Sequence, residues 1–245
     1  MLTSVRTIFK KEFRSFFVTP VGYIVVAIFL IGTALFLWVF PGNYNVLDSG
    51  YANLDGLFTL APWLYLFLCP AVTMRLFAEE RQQGTLETLL TRPISRLAIV
   101  LGKAIAGWLL VLLALLPTIV WYLSINLLAE PTWNVDAGAF WGSFIGLVLL
   151  AMVYCAIGIY GSAVSPNQMV AFVVAAALCF GLFYGPELIG SLFNNGDINQ
   201  AIQNFGLHTH YKSMSRGVID STDLLYIAVI TALFLWGTAA HIRKQ

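Results

Sequence analysis

Residues 77–103 read FAEERQQGTLETLLTRPISRLAIVLGK, a charged segment between two long apolar runs. Acidic and basic residues alternate in it and just before it, so ion pairs can form on one face while the leucines point inward. The charged residues are Arg75, Glu79, Glu80, Arg81, Glu87 and Arg92. We expect a short helical connection that lies across the ends of two membrane spans.

The same segment carries signals for where its helices start and stop. Gly84 predicts an interruption, and Thr85 is a good N-cap residue for a second short helix. Glu87 then falls in the first turn, where the helix dipole favours an anion. Pro93 disfavours helical geometry at Arg92 and so predicts the end of the helix.

Composition places the chain in a membrane. Apolar residues make up 59% of its 245 residues and charged residues 10%, against roughly 25% charged in a soluble domain. The mean hydropathy is +0.82. With a net charge of +1 and no basic stripe, nucleic acid is not an expected partner.

Six apolar runs are long enough, or nearly so, to cross about 30 Å of hydrocarbon as helices. They lie at about 21–40, 57–74, 97–123, 139–164, 169–189 and 224–240. Pro62 and Pro70 fall in the second run and Pro117 in the third, so we expect kinks there. The predicted fold class is an all-α integral membrane protein with six transmembrane helices.

Orientation follows from the positions of lysine and arginine. Basic residues precede the first span, surround the 75–96 connection and follow the last span, whereas the connections at about 41–56, 124–138 and 190–223 are mainly acidic. Both termini and the 75–96 segment are therefore predicted to be cytoplasmic. In a bacterium the chain would be a multi-pass protein of the inner membrane.

The first 18 residues are predicted to form an amphipathic helix. Apolar residues recur at three- and four-residue spacing, and basic residues form a row on another face. The apolar set is Leu2, Val5, Phe9, Phe13 and Phe16, and the basic set is Arg6, Lys10 and Arg14. Such a helix can lie in the interface and contact anionic membrane lipids. A plain basic flank of the first span explains the same residues.

The spans themselves are almost free of charge. No Asp, Glu, Lys or Arg occurs between residues 104 and 129 or between 137 and 186, although ion-coupled transporters keep ionisable groups near the midplane. An ion-coupled carrier or channel is thus the less favoured alternative. Lys103 and Glu187 lie near span ends, where we expect them to snorkel towards the interface.

No catalytic, cofactor or metal site is predicted. Cys69, Cys155 and Cys179 lie in apolar runs without ligand spacing, and a solvated loop explains His208 and His210 better than a metal pair. Gly102-Lys103 lacks the glycine spacing of a phosphate-binding loop. A membrane-embedded enzyme would need a cluster of nucleophile and base, which is not apparent. Gly142 with Gly146, and Gly181 with Gly185, predict close helix packing.

The run from Ala78 to Lys103 closely resembles the signature of ABC type-2 transporter permeases. The matching residues are Glu79-Glu80-Arg81, Gly84-Thr85-Leu86-Glu87, Leu89-Leu90, Pro93-Ile94-Ser95 and Leu101-Gly102-Lys103. Further stretches are similar to the gliding-motility-associated branch: Pro20-Val21-Gly22-Tyr23, Ala61-Pro62-Trp63-Leu64, Asn167-Gln168 and Ser215-Arg216-Gly217-Val218-Ile219-Asp220. The resemblance covers nearly the whole chain and implies a single transmembrane domain over residues 1–245.

The resemblance also implies partners. Residues 75–96 would be a coupling segment that docks into a separate ATPase subunit, present in two copies, which would carry the ATP chemistry. Two permease halves would surround the path, either two copies of this chain or this chain with a companion subunit. The complex would export a substrate, or transmit mechanical work to the cell envelope as in gliding motility.

The 190–223 segment is too long for a tight turn. Ile198, Ile202 and Phe205 are spaced to share one face of a short helix, and Asp220 can cap the last span with Asp223 in its first turn. By analogy with the family, this helix would be a lid over the outer end of the path. An ordinary surface loop explains the segment equally well.

Overall fold

The computed structural model describes residues 2–132, 134–193 and 196–243, and the regular structure in these ranges is helical. In chain order the α-helices are α1 (Leu2–Val18), α2 (Val21–Ala34), α3 (Val46–Ser49), α4 (Asp55–Thr73), α5 (Arg75–Gln82), α6 (Thr85–Leu90), α7 (Arg96–Leu115), α8 (Ile119–Leu128), α9 (Ala137–Val164), α10 (Gln168–Phe183), α11 (Gly185–Gly190), α12 (Gly196–Gln203), α13 (Leu207–Met214) and α14 (Ser221–Arg243). A π-helical turn at Leu35–Val39 extends α2, and a 3₁₀ turn at Leu116–Thr118 joins α7 to α8.

Five helical segments of the described chain are long and apolar enough to cross a membrane. They are Val21–Val39, Asp55–Gln82, Arg96–Leu128, Ala137–Val164 and Ser221–Ile242. The prediction of an all-helical membrane protein is therefore confirmed, but the count of six spans is not.

The predicted span at 169–189 is divided into two helices. α10 has 16 residues, which cover about 24 Å at 1.5 Å per residue, and this is less than the thickness of the hydrocarbon core. The helix ends at Phe183 and α11 begins at Gly185. Pro186 explains the break, because it has no backbone N–H to continue the hydrogen-bond ladder of α10.

The core of the bundle is built around α9. This helix contacts α4, α7, α10, α13 and α14, and it is the most deeply buried of the five candidate spans. Its sequence contains no charged residue, so it can be enclosed without any ion pair. The other helices are positioned by how they pack against it.

Small residues allow close approach along α9, although not at every predicted place. A Cβ atom at Gly142 would lie 2.6 Å from Gly217 Cα, and one at Gly146 would lie 3.3 Å from Met214 Cβ. Gly181 and Gly185 face open space, so the second predicted pair does not serve packing within this chain. A closer contact occurs at Gly158, where a Cβ atom would overlap the Thr73 hydroxyl of α4.

Of the three prolines at which kinks were expected, Pro117 lies between two helices, whereas Pro62 and Pro70 lie inside α4, which continues through them. Pro117 lies in the 3₁₀ turn between α7 and α8. Pro62 lies inside α4 and cannot donate to the carbonyl of Phe58 four residues earlier. The Tyr211 hydroxyl of α13 donates to that carbonyl at 2.7 Å, so a side chain from a distant helix replaces the missing backbone donor.

Polar contacts join the helices at each of the two ends of the bundle. At one end, which we call the charged end, α1, α5, α6 and the start of α7 come together, and Arg81 of α5 donates to Val164 O at the end of α9. At the opposite end, α13 lies against the start of α9, where the Ser143 hydroxyl donates to Ser215 O at 2.9 Å. The tertiary fold thus brings together connections that are far apart in sequence.

The contact at Gly158 makes a prediction about stability. Gly158→Ala should lower the free energy of unfolding by about 1–3 kcal/mol, because the added methyl group forces α4 and α9 apart. Gly181→Ala is the matched control, since a Cβ atom there meets no atom within 4 Å. Thermal unfolding of the purified chain in detergent measures both, and equal melting temperatures for the two variants would contradict the prediction.

Candidate functional site at the charged end

The charged connection consists of two short helices joined at a glycine. α5 continues directly from α4 through Met74, and Gly84 adopts a left-handed conformation with φ +69° before α6 begins. The predicted interruption at Gly84 is confirmed. The assignment of Thr85 as N-cap was wrong, because Gly84 holds that position and Thr85 is the first helical residue. The Thr85 hydroxyl instead donates to Glu80 O at 3.2 Å.

A buried lysine lies directly behind this connection. Lys103, about two turns into α7, has a side chain that is only 1% exposed. Its ammonium nitrogen is 3.0 Å from Glu12 Oε1 and 2.9 Å from Glu80 Oε1, and it donates to Leu76 O at 2.6 Å. An ammonium group has three N–H donors, so each has an acceptor.

A second lysine closes the cluster towards solvent. Lys11 Nζ lies 3.2 Å from Glu80 Oε1 and 3.4 Å from Glu12 Oε1. Partial burial opposes the charge on Lys11, but the attraction of the two carboxylates outweighs it and raises the pKa of Lys11 above its ordinary value. Two lysines thus balance two glutamates, and the four residues, here called the Lys103 cluster, join α1, α5 and α7.

The expectation that Lys103 snorkels to the interface was wrong. α1 packs along α7 and covers this end of the span, so the ammonium meets carboxylates from α1 and α5 instead of water. The inward stripe of α1 is Ile8, Glu12 and Phe16, whereas Leu2 of the predicted apolar face is 87% exposed. The four-residue spacing of Ile8, Glu12 and Phe16 was the available signal for a buried acid in α1.

Further polar contacts fix α5 to its neighbours. The Arg75 guanidinium donates to Thr19 Oγ1 at 3.1 Å and to Ser15 Oγ at 3.2 Å, and it lies over the Phe16 ring. On the other side of α5, the Ser162 hydroxyl of α9 donates to Met74 O at 2.7 Å. The same hydroxyl accepts from the backbone N–H groups of Phe77 and Ala78. The α4–α5 junction is therefore held from two directions.

The predicted coupling residues fall in three places. Arg75, Glu79, Glu80 and Thr85 line a cleft of about 290 Å³ together with residues of α1. Arg81 turns towards the end of α9. Gly84, Glu87 and Arg92 are exposed and do not line the cleft.

The predicted gate residues at the opposite end do not all lie on one helix, because Ile198 and Ile202 are in α12 and Phe205 is not. Ile198 is 44% exposed and Phe205 is 74% exposed, and α12 ends at Gln203, so Phe205 lies beyond the helix. The next helix, α13, is the one that enters the core, through Leu207, Tyr211 and Met214 at helical spacing.

The two histidines of this region are not in a solvated loop, so that expectation was wrong. Both lie on α13, where His208 Nδ1 is 3.0 Å from Glu187 Oε2 and His210 Nδ1 is 2.6 Å from Asp223 Oδ1. The cap prediction for the last span is confirmed, because Asp220 accepts from Thr222 N at 3.2 Å and Asp223 lies in the first turn of α14.

The Lys103 cluster makes a second prediction. Lys103→Met should destabilise the chain by about 3–5 kcal/mol, because two largely buried carboxylates lose their cation. Adding Glu12→Gln and Glu80→Gln should restore part of the loss, whereas Lys10→Met, at an exposed position, should change stability by less than about 0.5 kcal/mol. Thermal unfolding in detergent measures all three. A wild-type melting temperature for Lys103→Met would show that the cluster does not stabilise the fold.

Comparison with known proteins agrees with this architecture. Among curated proteins, no sequence matches the chain. A family model described as ABC-2 family transporter protein matches residues 6–237, which include most of α1, the charged connection, all five candidate spans except the end of the last, and α10–α13. The chain therefore belongs to the ABC-2 family of transporter proteins, whose members are membrane subunits of ABC transporters.

Proposed function

We propose that this chain is the permease subunit that couples ATP hydrolysis on a separate ATPase subunit to export, or to mechanical work in the cell envelope. The observation that carries the proposal is the tie between the exposed connection and the spans. One face of α5–α6 is exposed, while the other is joined to α1 and α7 through the Lys103 cluster. A push on α6 would therefore move the helices as a unit.

The contacts divide the roles of the coupling residues. Glu87 and Arg92 are exposed and would contact the ATPase. Glu80 binds Lys103 and Lys11, so it would transmit movement within the permease. Arg75 and Thr85 support the same transmission, because they tie α5 to α1 and to the start of α6.

The topology proposal keeps six spans and both termini in the cytoplasm. α10, with α11 continuing after the break at Tyr184, would be a discontinuous span, the fifth in chain order, and would bring the total to six. Discontinuous helices are tolerated where protein encloses them. The charged end would face the cytoplasm by the distribution of lysine and arginine. α1 would lie in the inner leaflet interface against anionic lipids, and residues 1–245 would form one transmembrane domain.

The assembly proposal follows from the family. Two ATPase subunits would bind two permease halves, the second half being another copy of this chain or a companion subunit. Resemblance of several stretches to the gliding-motility-associated branch supports a companion subunit and a role in gliding. At the opposite end, the 190–223 segment would cover the outer end of the path, with Ile198, Ile202 and Phe205 towards the membrane boundary.

The topology makes a third prediction. Single cysteines in place of Asp48 or Asn134, both exposed at the opposite end, should react with an impermeant thiol reagent added to intact cells. A cysteine in place of Gln83, exposed at the charged end, should react only after the membrane is opened. The native cysteines are buried and provide a low background. Labelling at Gln83 from outside would overturn the orientation and the coupling proposal with it.

The coupling proposal makes a fourth prediction, which separates contact from transmission. Glu87→Ala should weaken binding of the ATPase by about 1–3 kcal/mol through loss of a charge-assisted contact, with the melting temperature of the permease unchanged. Glu80→Ala should lower the melting temperature, because Lys103 loses a buried partner. Co-purification of the ATPase and thermal unfolding in detergent measure the two effects.

Asp48→Ala, at the opposite end of the bundle, is the matched control for both variants and should affect neither measurement. Unchanged ATPase binding in Glu87→Ala would remove α6 from the docking surface. Weaker binding in Asp48→Ala would point to a general defect in assembly.

A further inference from the structure

The ring of His210 faces a hydrogen-bond acceptor on each side. Nδ1 is 2.6 Å from Asp223 Oδ1 of α14, and Nε2 is 3.0 Å from the carbonyl oxygen of Asn204. A carbonyl oxygen never donates, so Nε2 must carry a proton. The contact between Nδ1 and Oδ1 also needs a proton, whether the pair is written as imidazolium and carboxylate or as imidazole and carboxylic acid.

A neutral imidazole beside an ionised Asp223 cannot satisfy this geometry. If the proton is on Nε2, the lone pair of Nδ1 faces a lone pair of Asp223 Oδ1. If the proton is on Nδ1, the lone pair of Nε2 faces a lone pair of the Asn204 carbonyl oxygen. Asp223 is only 5% exposed, and its second oxygen, Oδ2, has no hydrogen-bond partner among the residues that the structure describes. An uncompensated carboxylate in such a place is costly. The observed arrangement therefore holds one proton more than neutral histidine with ionised aspartate.

The contacts of His210 with Asp223 and Asn204 fasten α13 to α14 and to the end of α12. The Tyr226 ring of α14 stacks on His210 with centroids 4.0 Å apart, and its hydroxyl donates to Phe205 O. On the other face of α13, Leu207, Tyr211 and Met214 fill the core. Release of the His210 contact would thus loosen the helix that supplies the Tyr211 hydrogen bond to Phe58 O of α4.

The other charged groups near α13 do not replace the proton shared by His210 and Asp223. Glu187 of α11 pairs with His208, and Lys212 of α13 is exposed. Burial lowers the pKa of His208 despite the nearby carboxylate of Glu187. α9 and α10, which also pack against α13, contain no Asp, Glu, Lys or Arg.

We propose that His210 and Asp223 form a proton-operated latch, which holds α13 in the core when the shared proton is bound and releases it when the proton is lost. In the released state the ring and the carboxylate are hydrated, and water can satisfy a neutral imidazole and an ionised carboxylate, which together hold one proton fewer. The state in which α13 is held in the core binds more protons, so it is favoured as pH falls and disfavoured as pH rises. One proton changes the ratio of the two states by at most tenfold per pH unit.

Accessibility of a buried thiol tests the latch directly. In the full-length chain in lipid nanodiscs, Met214→Cys places a thiol at a position that is 1% exposed, and Gln200→Cys places one at an exposed position of α12. At each pH between 5.5 and 8.5, the modification rate of the Met214→Cys variant is divided by that of the Gln200→Cys variant. This ratio cancels the intrinsic pH dependence of thiol chemistry. We expect the ratio to rise with pH, by up to about tenfold per unit.

Three further substitutions identify the groups involved. Asp223→Asn should keep the ratio low at every pH, because an amide N–H can donate to neutral Nδ1 while Nε2–H still donates to Asn204 O. His210→Ala should make the ratio high at every pH. His208→Gln is the matched control on the same helix and should retain the wild-type pH dependence.

A ratio independent of pH in the wild-type background would overturn the latch. So would pH dependence that survives in Asp223→Asn or disappears in His208→Gln. The measurement uses neither an ATPase nor a transported substrate, so failure of the latch and failure of the coupling proposal are separate results. This is the fifth prediction.

Discussion

Neutralisation of the Lys103 ammonium inside an apolar bundle is the constraint on which the charged end depends. A buried cation is costly unless it is paired and hydrogen-bonded, and here its acceptors come from two other helices: Glu12 of α1, and Glu80 and Leu76 O of α5. Any movement that separates these elements leaves an unpaired charge. The first helix, the charged connection and α7 are therefore favoured to move together, which is what a coupling element requires.

The same principle governs the backbone at the places where helices are interrupted. Few water molecules reach the interior of a membrane bundle, so a polar backbone group must find a partner in the protein. Ser162 bonds to the backbone at the α4–α5 junction, and Tyr211 bonds to the carbonyl left free by Pro62. These two contacts connect α9 and α13 to opposite ends of α4, so the points where the backbone of α4 lacks a helical partner are also the points where other helices hold it.

The two ends of the molecule satisfy their buried charges differently. The Lys103 cluster balances two lysines against two glutamates. The contact of His210 with Asp223 needs one exchangeable proton instead. The first arrangement favours a constant mechanical tie and the second a tie that depends on pH, as the proposals of coupling at the charged end and of a latch at the opposite end require.

Much of the fold was predictable from the sequence because the signals were local. Runs of apolar residues located all five candidate spans, Gly84 marked the break in the charged connection, and Asp220 marked the cap of α14. The break after Phe183 was missed because hydropathy continues through Tyr184 and Gly185, while Pro186 acts only through the hydrogen-bond ladder. The buried face of α13 was missed because polar residues separate Leu207, Tyr211 and Met214.

The sequence by itself determined that this is a helical membrane protein with a charged connection of the ABC-2 type, since length, hydropathy and motif are properties of neighbouring residues. Only the tertiary structure decided which charges are buried. Lys103 meets Glu12 from 91 positions away, and His210 meets Asp223 across a turn and a change of helix. Such pairs depend on how helices pack in space, and helix packing brings together residues that no sequence spacing relates.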